Sequence, residues 1–172
     1  MKLNKITLAA ALVASSITVA HASSDTVNFV GVVTSVTCDV SIEVGGVDTP
    51  SNIVDLGTIA TSSTGSAVEF TIISEATTGG ECAATKGAEV TWSGPTMTAT
   101  GFDNSASATA TGTTMTLTGK PATGDVAITS TTTVVPFTST EVGTGMPFEA
   151  KMTSSTTPGQ FNTTATYSVA YL

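Results

Sequence analysis

Short runs in which apolar and polar side chains alternate make up most of the chain after residue 22. Thr, Ser, Ala, Val and Gly dominate these runs, and Gly, Pro, Asn and Asp separate them. A period of two places alternate side chains on one face of a strand, and β-branched residues favour such a half-buried surface. No stretch has a sustained helical period. The alternation therefore predicts an all-β sandwich.

The alternating runs predict nine strands. Turn signals stand between them at Gly45-Gly46, at Gly79-Gly80, and in residues 93–95 and 157–159. The threonine-rich stretch 101–119 is interpreted as a loop that leads into a strand, because its last residues alternate again. The predicted strands are residues 32–44, 53–59, 67–73, 88–92, 113–117, 126–129, 132–137, 148–152 and 161–171.

The first 22 residues have the form of a secretory signal peptide. Lys2 and Lys5 precede an apolar run over residues 6–20, and residues 20–22 form a small-x-small cleavage site. The alternative is a membrane helix, but a membrane span needs about 20 predominantly apolar residues. This run is shorter and is interrupted by serine and threonine. We therefore expect a mature chain that begins near Ser23 and is long enough for one domain with its own core.

The mature chain is acidic and lacks the common catalytic side chains. Without Lys2 and Lys5, three lysines and thirteen carboxylates remain, a formal charge of −10, so the chain has no basic surface for nucleic acid. The only histidine, His21, lies in the signal peptide, and the sequence contains no arginine. Nucleophilic triads need an imidazole, and transition-metal sites usually need His or several Cys. A pair of carboxylates could still act together, but no motif positions one. We expect no enzyme, no metal and no cofactor.

Cys38 and Cys82 are the only cysteines. An even count behind an export signal indicates one disulfide. The bridge would close a loop of about 45 residues, worth roughly 4 kcal/mol on the chain-entropy model. The alternative is a reactive thiol pair, which usually has a Cys-x-x-Cys spacing or a basic neighbour. Neither is present, so we expect a structural disulfide.

The last predicted strand, residues 161–171, has the cleanest alternation. One face is apolar or aromatic and the other carries Asn, Thr and Ser, and the chain stops one residue later. We therefore expect a second neighbour for this strand to come from elsewhere, because folded proteins avoid a long exposed apolar edge. The residues expected on the apolar face are Phe161, Ala165, Tyr167, Val169 and Tyr171.

Four stretches of the sequence together resemble the major subunits of chaperone–usher fimbriae. They are FVGVVTSVTC (29–38), VDLGTI (54–59), VEFTII (68–73) and a C-terminal strand with Gly159 fourteenth from the end and Tyr171 penultimate. Within that family, KGAEVTWSG (86–94) and GFDNSASATATG (101–112) are similar to shaft subunits of animal enterotoxigenic fimbriae.

The resemblance implies an incomplete immunoglobulin-like β-sandwich that lacks its last strand. A donor strand from a neighbouring subunit would complete it, which is a form of strand addition. The implied organisation is a signal peptide (1–22), a donor-strand extension (23–33) and a pilin domain (34–172). The implied function is a structural subunit of an adhesive fimbria, which polymerises head to tail and attaches to host cells. The implied partners are identical or related pilin subunits, a periplasmic chaperone and an outer-membrane usher. The implied location is a cell-surface fimbrium of a Gram-negative bacterium, reached through the periplasm.

The resemblance also assigns two sets of site residues. The donor strand would be Val27, Phe29, Gly31 and Val33, with the glycine where the neighbour's core leaves no room for a side chain. Burial of the three apolar residues would contribute roughly 5–9 kcal/mol before losses. The alternative is an ordinary first strand in which the glycine marks a bulge. The strand beside the acceptor groove would contain Gly159, Phe161, Ala165, Tyr167, Val169 and Tyr171.

Two further functions stay open. In the first, the shaft subunit is itself a lectin for host glycans, sialylated ones included. Trp92 could then stack on a sugar, and Lys86, Lys120 or Lys151 could pair with a carboxylate. The competing interpretation is a core tryptophan and three solvated lysines. The second is a self-contained secreted β-sandwich that acts as a binding module, with its first strand paired within its own domain.

Overall fold

Two antiparallel sheets pack face to face as a sandwich. A computed structural model describes residues 38–49, 52–76 and 86–172, all within the unit Val32–Leu172. One short helix, α1 (Ser139–Thr144), lies among the strands. The strands are β1 (Cys38–Val44), β2 (Val47–Asp48), β3 (Val68–Ala76), β4 (Ala88–Ser93), β5 (Met97–Thr98), β6 (Gly101–Asp103), β7 (Thr114–Gly119), β8 (Val126–Ile128), β9 (Val134–Phe137), β10 (Met146–Thr153) and β11 (Thr166–Tyr171).

The larger sheet has the strand order β2-β1-β3-β10-β7-β6-β5, and β8 also pairs with β7. The smaller sheet has the order β11-β4-β9. Pro136 lies in β9, at the edge of the smaller sheet, where strands tolerate proline. The strand β11 occupies the opposite edge, so only one of its sides pairs with β4.

The core lies between the sheets and follows the predicted period of two. Residues of β4 are alternately buried and exposed, and those of β10 are alternately buried and half-buried up to its exposed last residue. The ring of Phe148 lies at the centre, with its centroid 5.2–5.5 Å from those of Phe70, Trp92 and Phe137. Such aromatic pairs contribute about 0.5–1.5 kcal/mol each beyond the area that they bury.

Most of the predicted strands are present. The predictions for residues 67–73, 88–92, 113–117, 126–129, 132–137 and 148–152 correspond to β3, β4, β7, β8, β9 and β10, with ends shifted by a few residues. Gly45 and Gly46 form the predicted turn between β1 and β2 with φ values of 61° and 78°, which favour glycine. The part of the first predicted strand before Cys38, and Gly79-Gly80, lie outside the described residues.

Two predicted strands differ from the structure. Residues 53–59 are irregular, so the strand predicted there is wrong. The reason is non-local, because no described strand lies beside this segment to pair with its backbone. The last strand begins at Thr166 instead of Phe161. Residues 160–162 form hydrogen bonds with a loop and not with a neighbouring strand.

The alternation also missed the helix α1. The helix has six residues, less than two turns, so it shows no apolar period. Its local signal is a capping box, in which the N-cap residue Thr138 and Glu141 bond each other's backbone N–H groups. The short strands β2, β5 and β6 were likewise not predicted.

Candidate binding groove

A groove of about 1620 Å³ opens between the irregular segment 52–61 and the chain after residue 156. Its floor is formed by core side chains of both sheets. The floor residues are Ile42, Phe70, Trp92, Met115, Leu117, Ala150 and Met152. The groove therefore reaches down to the apolar core of the sandwich, although the floor side chains are themselves buried.

The first rim of the groove is the segment 53–59. Val54 and Leu56 pack against the core, while Ile53 is 65% exposed. The only hydrogen bond from a described backbone group here is local, from the Gly57 N–H to Asp55 Oδ1 at 2.9 Å. The other backbone donors and acceptors of this rim are unpaired within the described part of the chain. Such groups are able to pair with an added strand.

The second rim consists of residues 159–167. Phe161, Ala165 and Tyr167 pack against the core and line the groove, as the alternation predicts. The backbone groups of Phe161, Thr163 and Ala165 have no hydrogen-bond partner among the described residues. This rim therefore also presents unpaired backbone, beside an apolar floor.

The last strand continues beyond the groove. Val169 and Tyr171 pack against the core but do not line the groove. The Tyr171 hydroxyl donates to Ser74 Oγ at 2.8 Å, which ties β11 to β3 of the opposite sheet. Burial raises the pKa of Tyr167 and of Tyr171, so both hydroxyls stay protonated at neutral pH.

The other predicted structural sites are only partly described. Cys38 is disulfide-bonded, while Cys82 lies outside the described residues, so the Cys38–Cys82 pairing stays a prediction. The donor-strand residues Val27, Phe29, Gly31 and Val33 also lie outside the described residues. Gly159, predicted for the acceptor strand, does line the groove.

Trp92 is not available for stacking on a sugar. Its side chain is 4% exposed and packs against Phe70, Phe148 and Tyr167 in the core. Its indole N–H has no hydrogen-bond partner among the described residues, and the neighbouring rings of Phe70 and Phe148 meet the indole edge to face. This burial favours the core interpretation of Trp92 over a contact with a glycan.

The three lysines do not converge on one site. Lys86 is exposed just before β4, and Lys151 lies within β10 of the other sheet. Lys120 follows β7 and forms an ion pair with Asp125 at 2.6 Å. That hydrogen bond raises the pKa of Lys120. Lys120 also lies 3.9 Å from Glu149, which shares a face of β10 with Lys151, so Lys86 on the other sheet is the lysine that stands apart.

The loop that supports the second rim was not recognised as part of the site. Residues 104–111 lie within a stretch interpreted only as a loop, yet they bond directly to residues 160–162. The sequence signal that could have identified this loop is Asn104, the single asparagine in a run of Ser, Ala and Thr.

Comparison with known proteins assigns the chain to a family. The chain is 32% identical over 155 residues to the F107 fimbrial protein of Escherichia coli, and this match covers 88% of the chain and 89% of that protein. The chain belongs to the fimbrial protein family. It is also 40% identical over 88 residues to the K99 fimbrial protein of Escherichia coli, which covers 51% of the chain and 46% of that protein. No family model matches the chain.

The fold of this fimbrial subunit resembles that of a solved pilus subunit. The P pilus rod subunit PapA superposes with a TM-score of 0.53 and 15% identity, over 86% of this chain and all of that one. The chain is thus a structural subunit of a cell-surface fimbrium of a Gram-negative bacterium, it interacts with other pilin subunits, and it is not an enzyme. Among the described residues, no helix is long and apolar enough to span a membrane, and no cluster of His, Cys, Asp or Glu could hold a metal ion.

Proposed function

We propose that the groove of each fimbrial subunit binds residues 23–33 of a second copy as an added strand. The observation that carries this proposal is the groove itself, in which two rims with unpaired backbone flank an apolar floor. An incoming strand would form hydrogen bonds with both rims and pack over the apolar floor.

The predicted donor segment has suitable length and chemistry. Eleven extended residues span about 36 Å, similar to the length of the rim and β11 together. Val27, Phe29 and Val33 alternate, so all three would face the floor at once. The contact is head to tail, so it generates an open filament. The charge of −10 on each mature chain keeps neighbouring fibres apart.

The groove also bears on how the subunit is exported and assembled. Unpaired backbone beside an apolar floor invites aggregation, so we also propose a periplasmic chaperone that covers the groove and an outer-membrane usher that releases the subunit into the fibre. The signal peptide, residues 1–22, would direct the chain into the periplasm. The proposal also includes attachment to host cells, which the fibre would perform as an assembly. The lectin alternative rests on the resemblance alone.

The proposal is tested with the full mature chain, residues 23–172, and its Phe29→Asp variant. A charged side chain cannot enter an apolar groove without a large desolvation penalty. We expect the parent chain to form multimers and the variant to stay monomeric. A free peptide of residues 23–33 should then raise the melting temperature of the variant by at least about 10 °C, because about 1 kcal/mol shifts it by roughly 2–4 °C at this size.

Asn28→Asp is the matched control, since it adds the same charge on the opposite face of the strand. We expect this control to assemble like the parent. A parent chain that is a stable monomer and does not respond to the peptide would instead support a self-contained sandwich.

A further inference from the structure

A loop holds the part of the second rim that precedes β11. Residues 159–165 precede β11, and β4 pairs only with residues 166–171. Residues 104–111, here called the rim loop, lie against this segment. The half of the rim next to Phe161 therefore depends on the rim loop for its position.

One side chain makes two of the five hydrogen bonds between the rim loop and residues 160–162. Asn104 Oδ1 accepts from the Asn162 N–H at 2.8 Å. Asn104 Nδ2 donates to the Gln160 carbonyl at 3.1 Å and to the Ala110 carbonyl at 2.9 Å. The amide thus binds two residues of the rim and the far end of its own loop with a single group, and only Asn offers both a donor and an acceptor at this length.

Backbone and hydroxyl groups of the rim loop complete the contact. The Ser105 N–H donates to the Asn162 carbonyl at 2.8 Å, and the Ala110 N–H to the Gln160 carbonyl at 3.0 Å. The Gln160 N–H donates to Thr109 Oγ1 at 2.9 Å. All backbone groups of Gln160 and Asn162 are therefore satisfied on the loop side.

The alternating direction of successive backbone groups then determines which N–H and C=O groups face the groove. In an extended segment, successive residues turn their N–H and C=O groups to opposite edges. With Gln160 and Asn162 bonded to the loop, Phe161 and Thr163 turn theirs away from it, and these groups are unpaired among the described residues. Gly159 permits the close approach, because a Cβ there would lie 2.5 Å from Thr109 Oγ1 and 2.6 Å from the Ala110 nitrogen.

We infer that Asn104 is a positioning residue for strand acceptance, an inference that rests on the proposed function. It holds residues 160–162 so that Phe161 and Thr163 present their backbone groups to the incoming strand. Without it, three of the five hydrogen bonds to residues 160–162 remain, so this half of the rim is held less firmly and strand binding bears more of the entropic cost of ordering it. The other half of the acceptor strand is held by β4, so its binding does not depend on Asn104.

The test measures the affinity of the free 23–33 peptide for the full mature chain carrying Phe29→Asp, with and without Asn104→Ala. We expect about tenfold weaker binding in the Asn104→Ala chain, equivalent to about 1.4 kcal/mol. Asn104→Asp keeps the acceptor for the Asn162 N–H but loses both donated bonds, so its affinity should lie between the two. Asn104→Asp also serves as the test variant should Asn104→Ala fail to fold.

Ser105→Ala is the matched control within the rim loop. Within the described part of the chain, its hydroxyl hydrogen-bonds only with Ser107 Oγ, at 3.3 Å, while its bond to the rim comes from the backbone. We expect this variant to bind the peptide with the affinity of the parent.

Two shortened peptides separate positioning from general destabilisation. One peptide contains residues 27–33 and lacks the first four residues of the segment. The other contains residues 23–29 and lacks the last four. One of these two peptides no longer reaches Phe161, and we expect it to bind the Asn104→Ala chain and its parent with equal affinity. The other peptide still reaches Phe161 and should retain the tenfold difference in affinity. Unchanged affinity for the full peptide, or an equal loss with all three peptides, overturns the inference. Absence of any binding to the parent overturns the proposed function itself, and the inference with it.

Discussion

At the scale of single residues, two glycines stand where a neighbouring strand leaves no room for a side chain. Gly119 ends β7, and a Cβ at this position would lie 2.6 Å from Val135 Cγ1 of β9. Gly101 begins β6 with a φ of 139°, and a Cβ there would lie 2.2 Å from the Met115 carbonyl oxygen. Neither position accepts a side chain without movement of its neighbours.

Gly119→Ala should therefore destabilise the fold. The added methyl group meets the branched side chain of Val135 and forces it from its packing position. Overpacking of this kind costs about 1–3 kcal/mol. Urea unfolding of the monomeric Phe29→Asp chain measures this loss. Thr118→Ala, on the outer face one residue earlier, should change the free energy of unfolding by no more than about 0.5 kcal/mol.

At the scale of elements, α1 shows how a short segment is fixed by its ends. Glu141 Oε2 accepts from the Thr138 N–H at 2.8 Å, and Oε1 accepts from the Ala122 N–H at 2.6 Å. Burial alone would raise the pKa of Glu141, but the hydrogen bonds from Thr138 and Ala122 outweigh it and lower the pKa. The carboxylate thus joins the helix to the turn between β7 and β8.

Removal of this carboxylate should have an effect that depends on pH. The folded pKa of Glu141 lies below its unfolded value, so its stabilisation is present above the unfolded pKa and is lost as the pH falls through the folded pKa. We expect Glu141→Ala to cost about 1–2 kcal/mol at pH 7 and clearly less at pH 3. Unfolding curves at both pH values measure the difference, and Thr140→Ala provides the control in the same helix. An equal loss at both pH values would show that the charge plays no part.

Alternation identifies most strands because burial on one face leaves a period of two in the sequence. The pattern failed for residues 53–59, where apolar side chains alternate but no described strand supplies backbone partners. It failed for α1 because six residues are too few to show a helical period. In both cases the deciding interactions lie outside the segment or at its ends.

At the scale of the whole molecule, the positions of the few lysines leave the folded domain with few accessible trypsin cleavage sites. Trypsin selects a basic residue at the cleaved bond. Lys86 is exposed, while Lys120 is followed by Pro121, and Lys151 is half-buried within β10 between β3 and β7. Proteolysis favours exposed segments over paired strands.

We therefore expect trypsin to cut the folded mature chain after Lys86 and to leave the bond after Lys151 intact. Mass spectrometry of the products identifies the cleavage sites. The same chain, reduced and unfolded in urea, should also be cut after Lys151. Early cleavage at Lys151 in the folded protein would contradict the central position of β10.

The sequence by itself determined the all-β class, the one-sided apolar face of the last strand and the lack of imidazole and guanidinium chemistry, because period and composition are local properties. Only the tertiary structure decided that residues 53–59 pair with no described strand, that Trp92 packs in the core, and that Asn104 supports the rim of the groove. The Asn104–Asn162 bond joins residues 58 positions apart. Such partners are chosen by the path of the chain through the sandwich, and no local pattern records that path.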